Sequence, residues 1–138
     1  MIIAVIDGMG GGMGAQIVVQ LREERPEVEI WALGVNAIAT QRMIQSGADR
    51  GASGENAICV SAPKADIIMA PIGVIVPQAM MGEITPAIAE AIASAPGRKL
   101  LIPITQPHFE IIGISPKPLA QQIAAAIHEI DAGTGHTG

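Results

Sequence analysis

The sequence contains no tyrosine, one cysteine and only eight lysine and arginine residues among its 138 positions. The single cysteine, Cys59, excludes an intrachain disulfide and a cysteine metal cluster, and it is typical of a protein from the reducing cytoplasm. The basic residues are scattered and the net charge is −5, so no basic stripe is available to hold a phosphodiester backbone. We therefore expect no nucleic-acid partner.

Long apolar runs and processing signals are missing as well. The longest uncharged stretch, 67–82, is shorter than the roughly 20 residues that a membrane span needs. Pro71, Gly73 and Pro77 interrupt it, which is typical of a buried strand followed by a loop. The N-terminus has no basic segment of a secretory signal and reaches Asp7 after a short apolar run. These features predict a cytoplasmic protein without a membrane partner.

Several catalytic and metal-binding signatures are also absent. The sequence has no H-E-x-x-H, no paired histidines and no G-x-S-x-G, so it does not predict a zinc hydrolase, a serine hydrolase or a bound metal. The absence of G-K-[ST] argues against a P-loop NTPase. The candidates for acid–base chemistry are His108, in a turn late in the chain, and Glu83, at the end of an MMGE loop.

What the sequence does contain is a glycine-rich loop near its N-terminus. Glycine occupies five of the seven positions 8–14, between an apolar run at 2–6 and an amphipathic segment with helical periodicity. Glycine lets the backbone approach a phosphate closely, and a helix N-terminus offers unpaired N–H groups and about half a positive charge. The sequence therefore predicts a bound nucleotide or another small phosphorylated ligand. The predicted binding residues of this loop are Asp7, Gly8, Gly10, Gly11, Gly12 and Gly14.

Two spacings fit this loop. Gly10, Gly12 and Ala15 match G-x-G-x-x-A, the dinucleotide fingerprint. Gly8, Gly12 and Gly14 match G-x-x-x-G-x-G, which resembles the loop of short-chain dehydrogenases. The chemistry of those enzymes does not transfer, because the tyrosine that serves as their proton donor is absent here. A tight strand-to-helix turn that binds no ligand is the alternative interpretation.

The end of the second predicted strand bears on the choice of cofactor. An acidic residue there holds the ribose hydroxyls of NAD, but this chain has Gly34, Val35 and Asn36 at that point. Asn36, with Thr40 and Arg42 nearby, fits a 2′-phosphate, so NADP is predicted in preference to NAD. The alternative role of Asn36 is to cap the helix that follows.

Asp7 lies at the entrance of the loop, where a carboxylate repels a phosphate unless a metal ion or backbone amides offset its charge. Two roles are open. Its side chain accepts N–H bonds within the glycine turn, or it holds Mg²⁺ beside a nucleotide, somewhat as in the D-G-G-G loops of actin-like ATPases.

Ligands of open parallel sheets bind at the carboxyl ends of strands, where the strand order reverses. This rule adds Asn36, Pro71 and Gly73 to the predicted binding residues. A second glycine-rich segment, 47–56, is predicted to fold over the ligand as a lid, with Arg50 contacting a phosphate. The alternative for that segment is a helix stop followed by a short capped turn.

The predicted architecture is a three-layer α/β/α Rossmann-like sandwich with a mostly parallel sheet, because nearly continuous apolar runs alternate with helical segments. We predict one domain over residues 1–132 and a flexible tail at 133–138. The predicted strands are 2–6, 29–33, 57–60, 67–70, 100–104 and 110–114. The predicted helices after the first are 36–46, 85–94 and 115–130, each opened by a capping residue or proline.

Five segments of the chain, in order, resemble a small bacterial family of domains of unknown function that has a Rossmann-like N-terminal glycine loop. They are IAVIDGMGGGMG, ALGVNAIAT, GADRGASGENAI, ADIIMAPIGVI and MGEITPAIAEAI, and the resemblance extends to about position 114. It implies that these blocks line the same carboxyl edge that the fold argument selects.

Two functions from different classes are open. The first is a nucleotide-binding protein, including an NAD(P)-linked enzyme, and the second is a non-catalytic sensor of a small phosphorylated metabolite. The scarcity of tyrosine, cysteine, histidine and lysine near the expected pocket favours binding without catalysis. A mean hydropathy of +0.43, together with the uncharged stretch 67–82, predicts a homo-oligomer such as a homodimer.

Overall fold

The computed structural model describes residues 1–104 and 110–132, in which five strands alternate with helices. The strands are β1 (Ile2–Asp7), β2 (Glu29–Gly34), β3 (Arg50–Ser53), β4 (Ile67–Pro71) and β5 (Arg98–Ile102). The α-helices are α1 (Gly12–Glu24), α2 (Ala37–Gln45), α3 (Glu55–Ser61), α4 (Pro86–Ala93) and α5 (Leu119–Ala132). Two short 3₁₀ helices, Ala62–Lys64 and Ile72–Ile75, follow α3 and β4. The predicted turn around His108 and the predicted tail at 133–138 lie outside the described residues.

All strand pairs are parallel, and the order across the sheet is β3-β2-β1-β4-β5. The predicted α/β/α sandwich is confirmed. The chain moves outward from β1 to β3 and then crosses to β4 on the other side of β1. This reversal sets the carboxyl ends of β1 and β4 at the switch point, where ligands of such sheets bind.

The sheet separates two apolar clusters, as a parallel sheet that is covered on both faces requires. In β1, Ile3 and Val5 belong to the cluster with α1 and α5, whereas Ala4 and Ile6 belong to the cluster with α3 and α4. All four side chains are fully buried. Because successive residues of a strand face opposite sides, the core fixes the orientation of Asp7, the next residue.

Helix ends with clear capping signals were predicted well. The Asn36 side chain accepts a hydrogen bond from Ala39 N at 2.8 Å and caps α2, as expected. Thr85 accepts a hydrogen bond from Ile88 N at 3.2 Å and caps α4, which has Pro86 as its first residue. The last helix begins at Leu119 instead of position 115, because Pro118 disfavours helical backbone at the residue before it.

The region between α2 and β4 differs from the prediction. Positions 57–60, predicted as a strand, lie in α3, and part of the predicted lid, Arg50–Ser53, is β3. A short apolar run such as 57–60 fits a strand and a helix equally well, and Glu55 in the first turn favours the helix. β3 contains three small residues and one arginine and is mostly exposed, so its sequence has no apolar run that would predict a strand.

Two later strand predictions also need correction. β5 covers Arg98–Ile102, two residues earlier than predicted, since it begins directly after the turn at Gly97. Residues 110–114 form no strand in the described part of the chain and are exposed, so their apolar side chains do not belong to the sheet.

None of the helices in residues 1–104 and 110–132 combines the length and apolarity that crossing a membrane requires. The uncharged stretch 67–82 supplies β4 and buried side chains of the chain's own core. Met81, which is 93% exposed, is the large apolar side chain that it leaves on the surface. Self-association therefore stays a prediction. The stretch 67–82 exposes less apolar surface than its composition indicated, because most of its apolar side chains lie in the core.

Candidate functional site

Asp7 is the last residue of β1, and its side chain forms hydrogen bonds with the backbone of the glycine-rich loop. Its side chain is only 4% exposed. Asp7 Oδ1 accepts a hydrogen bond from Gly8 N at 2.8 Å, and Oδ2 accepts one from Gly14 N at 2.7 Å. Of the two roles that the sequence left open, the structure therefore shows the acceptor of N–H bonds within the turn. With both oxygens engaged and buried, Asp7 is poorly placed to hold Mg²⁺.

Burial raises the pKa of Asp7 above its ordinary value of 3.8, because desolvation penalises the charged form. The hydrogen bonds from Gly14 and Gly8 and the charge of Arg42 oppose this rise, whereas the nearby carboxylate of Glu83 adds to it. The native state therefore binds the Asp7 proton more tightly than the unfolded chain does.

We expect the stability that Asp7 contributes to fall as the pH rises. Below 3.8 the contribution is fully present, and it is lost as the pH rises through the raised native pKa, with a slope of at most about 1.4 kcal/mol per pH unit. Urea unfolding of the wild type and of Asp7→Asn between pH 3 and 7 measures this contribution as a difference. A difference that grows with pH would contradict the assignment.

Asp49 serves as a control, because its pKa is shifted in the opposite direction to that of Asp7. A backbone hydrogen bond from Ile30 and the Arg22 guanidinium lower the pKa of Asp49. Its contribution is present above 3.8 and is lost as the pH falls through the lowered native pKa, so Asp49→Asn should show the reverse trend.

Glu83 closes over the loop from the other side of the switch point. Glu83 Oε1 accepts a hydrogen bond from Met9 N at 2.5 Å, and Oε2 accepts one from the Asn36 side chain at 2.7 Å. The same Asn36 amide donates to Met9 O at 2.8 Å. A methyl group on Gly8 would lie 2.8 Å from both Glu83 Oε1 and Met80 Sδ. The hollow beside Gly8 is thus filled by the chain's own side chains.

Gly11 and Gly14 are required by helix packing. Gly11 has a left-handed φ of 74°, and a methyl group on it would lie 2.7 Å from Ala39 Cα. A methyl group on Gly14 would lie 2.6 Å from Met43 Sδ and 2.8 Å from Asp7 Cβ. These contacts, together with the one at Gly8, explain three of the five glycines without a ligand.

Gly10 and Gly12 have no such explanation. Neither has a positive φ, and a methyl group on either would meet only the Arg42 guanidinium, at 4.0 Å from Gly10 and 3.4 Å from Gly12. Of the five glycines that the sequence predicts to surround a phosphate, these two are the ones for which neither packing nor φ gives a structural reason. They are the two glycines that fit the spacing G-x-G-x-x-A.

The backbone amides of residues 8–14 also fall into two groups, those bonded within the protein and those without an acceptor. Four of them donate hydrogen bonds within the protein, namely those of Gly8, Met9, Gly11 and Gly14. Within residues 1–104 and 110–132, the amides of Gly10, Gly12 and Met13 have no acceptor. The latter two belong to the first turn of α1, where unpaired N–H groups attract anions.

Arg42 adds a full positive charge at this point. Its polar contact is a long hydrogen bond to Gly10 O at 3.4 Å, and in the described part of the chain it forms no ion pair. A cation at the positive end of a helix dipole is unfavourable by itself. Arg42 and the free amides of α1 therefore form a locally positive surface that an anion would stabilise.

A family model described as a domain of unknown function, DUF3842, matches residues 2–134 of this chain. The chain belongs to this family. The match confirms the resemblance that the five sequence segments carry, and it extends past position 114 into α5.

Among solved structures, a dodecameric FMN-dependent Ubix-like decarboxylase from Escherichia coli O157:H7 is similar to the DUF3842 chain. The TM-score is 0.45 and the identity 16%, over 94% of this chain and 76% of that one. A similarity this weak carries no information about ligand or activity. No curated protein sequence matches the chain.

Of the other residues predicted to bind a ligand in this DUF3842 chain, Arg50 lies away from the carboxyl edge of the sheet, and Pro71 and Gly73 are buried. Arg50 pairs with Trp31 at the start of β3, three residues before the end of that strand. At about 3.3 Å per residue, its backbone lies roughly 10 Å from the carboxyl edge. Pro71 and Gly73 do lie at the carboxyl end of β4, but both are buried.

The residues expected near a 2′-phosphate are mostly engaged. Asn36 uses its amide for Met9 O and Glu83 and its oxygen for the α2 cap. The Thr40 hydroxyl, which is buried, donates toward Asn36 O at 3.1 Å and accepts from the Ser53 hydroxyl at 2.7 Å. Arg42 alone among the three keeps donors for a ligand.

Proposed function

We propose that this chain binds a small phosphorylated ligand of nucleotide type at the first turn of α1. The phosphate accepts hydrogen bonds from the amides of Gly10, Gly12 and Met13 and pairs with the Arg42 guanidinium. The observation that carries the proposal is the open space at Gly10 and Gly12, two glycines that neither φ nor packing explains. Glycine at a helix start costs stability relative to alanine, so its presence without a structural reason favours a role in binding.

Charge supports the same position. The N-terminus of α1 and the Arg42 side chain present positive charge to one point, and the free amides supply donors that require no rearrangement. Arginine binds phosphate through two parallel N–H bonds, which suits the exposed Arg42 guanidinium, since it pairs with no carboxylate within residues 1–104 and 110–132.

The proposal favours a binding or regulatory protein over an NAD(P)-linked enzyme. Asp7 and Glu83, the acidic side chains beside the loop, each accept two hydrogen bonds that hold the loop together. The preference for NADP over NAD loses support, because Asn36 and Thr40 are engaged within the protein. The ligand is therefore sought among nucleotides in general.

The test is titration with inorganic phosphate and with NAD, NADP, ATP, GTP, FMN and coenzyme A, with and without Mg²⁺. A ligand at 100 times its dissociation constant should stabilise the protein by about 2.7 kcal/mol, which thermal shift detects. Arg42→Ala should weaken binding about 10- to 100-fold, the usual worth of a hydrogen bond to a charged group. Calorimetric titration measures this change.

Arg50→Ala is the matched control, because Arg50 is also exposed and lies on β3, away from the free amides. It should leave the affinity unchanged. Equal affinities for the wild type and Arg42→Ala, or an equal loss in both variants, would show that no phosphate binds at α1.

A further inference from the structure

The segment that follows β4 contacts the glycine-rich loop, and we call its residues 78–83 the strap. Among the described residues, the backbone hydrogen bonds of the strap stay within 76–84. Gln78 N donates to Ile84 O at 2.7 Å, and Ile84 N donates to Ala79 O at 3.2 Å. Ile84 is fully buried and anchors the base of the strap. The strap is therefore able to leave the glycine-rich loop without breaking a backbone hydrogen bond of β4 or α4.

The backbone of the strap is held in unfavourable conformations. Gln78, Met80 and Met81 have left-handed φ values of 70°, 57° and 57°. Met9, the residue of the glycine-rich loop that Glu83 contacts, has a φ of 52°. In the part of the chain that the structure describes, these four are the non-glycine residues with positive φ. Such conformations persist where surrounding contacts hold them, and they cluster at ligand clamps and switch regions.

One carboxylate joins the strap to the glycine-rich loop. Glu83 Oε1 accepts a hydrogen bond from Met9 N at 2.5 Å, and Oε2 accepts one from Asn36 Nδ2 at 2.7 Å. Two donors that converge on a carboxylate form a position for an anionic group. This position lies one residue before Gly10, whose amide belongs to the proposed phosphate position. Consecutive Cα atoms are about 3.8 Å apart, so two adjacent anionic groups of one ligand are able to reach both positions.

We propose that the Glu83 carboxylate is an internal competitor, which occupies the position of a second anionic group until the ligand displaces it. The inference rests on the proposed function, which sets the first phosphate at α1. It narrows the ligand to one with two adjacent anionic groups, which among nucleotides means a diphosphate. Such a ligand supplies the acceptors that Met9 N and Asn36 Nδ2 need once Glu83 leaves, whereas a monophosphate at α1 leaves the strap closed. Opening also lets the left-handed residues of the strap relax, which offsets part of the lost contacts.

The first experiment titrates inorganic phosphate, pyrophosphate and phosphonoacetate into the wild type, Glu83→Gln and Glu83→Ala. It is carried out in about 1 M salt, where a Debye length of about 3 Å screens the general effect of the removed charge. Glu83→Ala should bind pyrophosphate about tenfold or more tightly than the wild type, the worth of a hydrogen bond to a charged group, and phosphate within about threefold. Glu83→Gln keeps the size of the side chain and should show a smaller gain of the same kind. Glu90→Gln, on the exposed face of α4, should change none of these affinities.

The second experiment follows the strap in the wild-type protein by NMR of the methionine methyl groups. Met80 Sδ would lie 2.8 Å from a methyl group on Gly8, so Met80 contacts the glycine-rich loop when the strap is closed. Saturating pyrophosphate should shift the Met80 methyl signal, and saturating phosphate should not. The signal of Met69, which is fully buried in β4, should stay in place with both ligands.

Equal gains for phosphate and pyrophosphate in the Glu83 variants would overturn the inference, because they would reflect charge and not competition. Saturating pyrophosphate that leaves the Met80 signal in place would overturn it as well. A larger gain for pyrophosphate than for phosphonoacetate identifies the second anionic group as a phosphoryl group, and the reverse identifies it as a carboxylate. Both results support displacement of Glu83.

The outcomes also separate the two proposals. If phosphate binds with dependence on Arg42 but the Glu83 variants do not favour pyrophosphate, the site at α1 stands and the competitor does not. If pyrophosphate binding depends on Glu83 but not on Arg42, the competitor stands and the phosphate position is wrong. If none of the three ligands binds to any of the proteins, both proposals fail.

Discussion

Gly11→Ala is expected to destabilise the protein by about 3 kcal/mol. A left-handed conformation costs an alanine roughly 1–2 kcal/mol, and overpacking typically adds about 1–3 kcal/mol. Both apply here, since φ is 74° and the new methyl group would lie 2.7 Å from Ala39 Cα, a backbone atom that cannot move aside. This loss is a large part of the roughly 5–15 kcal/mol by which domains are stable.

Gly12→Ala is the matched comparison, one residue further along. Position 12 is the first residue of α1, its φ is not positive, and a methyl group there would meet only the flexible Arg42 guanidinium at 3.4 Å. Alanine has the higher helix propensity, so the variant should be as stable as the wild type or up to about 1 kcal/mol more stable. The same methyl group should weaken phosphate binding.

Urea or thermal unfolding of the two variants, followed by phosphate titration of Gly12→Ala, measures these effects. A Gly12→Ala protein that gains no stability but loses phosphate affinity still supports the binding role. A Gly12→Ala protein that unfolds like Gly11→Ala would mean that packing explains position 12 as well, and the case for a phosphate there would lose its main support.

Local signals in the sequence predicted the elements that build the switch point. β1, the glycine turn and α1 follow from an apolar run, a glycine cluster and helical periodicity within 24 residues. Asn36 and Thr85 marked helix starts because each side chain accepts a hydrogen bond from the backbone amide three residues later. Such interactions join residues that are close together in the chain, so a short stretch of sequence includes both partners.

The different structural roles of the five glycines could not be predicted from local signals. Gly14 is required by Met43 and Gly11 by Ala39, residues of a helix that begins more than twenty positions later. Five glycines in seven positions look alike in the sequence. Only the packing of α2 against α1 separates those that the fold needs from Gly10 and Gly12.

The sequence analysis named Glu83 as an acid–base candidate, but it did not predict the contact of Glu83 with the glycine loop, for a related reason. It is separated from Met9 by 74 positions and belongs to a loop whose sequence, MMGE, indicated an acid–base residue. The carboxylate instead satisfies an amide that a ligand was expected to satisfy. The amides of a glycine loop can therefore donate hydrogen bonds to the chain's own carboxylates instead of to a phosphate. The sequence alone does not show which of these two acceptors is used.

Glu83→Ala is expected to destabilise the protein by about 2 kcal/mol. Hydrogen bonds to a charged group are worth roughly 1.5–3 kcal/mol each, but the one to Met9 N is exposed and water replaces part of it. The loop that Glu83 ends also contains Gln78, Met80 and Met81 in left-handed conformations, each of which costs energy that the surrounding contacts must offset. Glu90→Ala, on the exposed face of α4, should cost much less.

The same substitution should strengthen anion binding several-fold at low salt. The negative charge of Glu83 lies beside Met9, next to the free amide of Gly10. It opposes the positive potential that Arg42 produces at the same point, so its removal should make that potential more positive. Phosphate titration at low and high ionic strength tests this, since screening should shrink the gain. If Glu83→Ala binds phosphate more weakly than the wild type, the carboxylate organises the anion site instead of opposing it, and the loop that it holds must be closed for a ligand to bind.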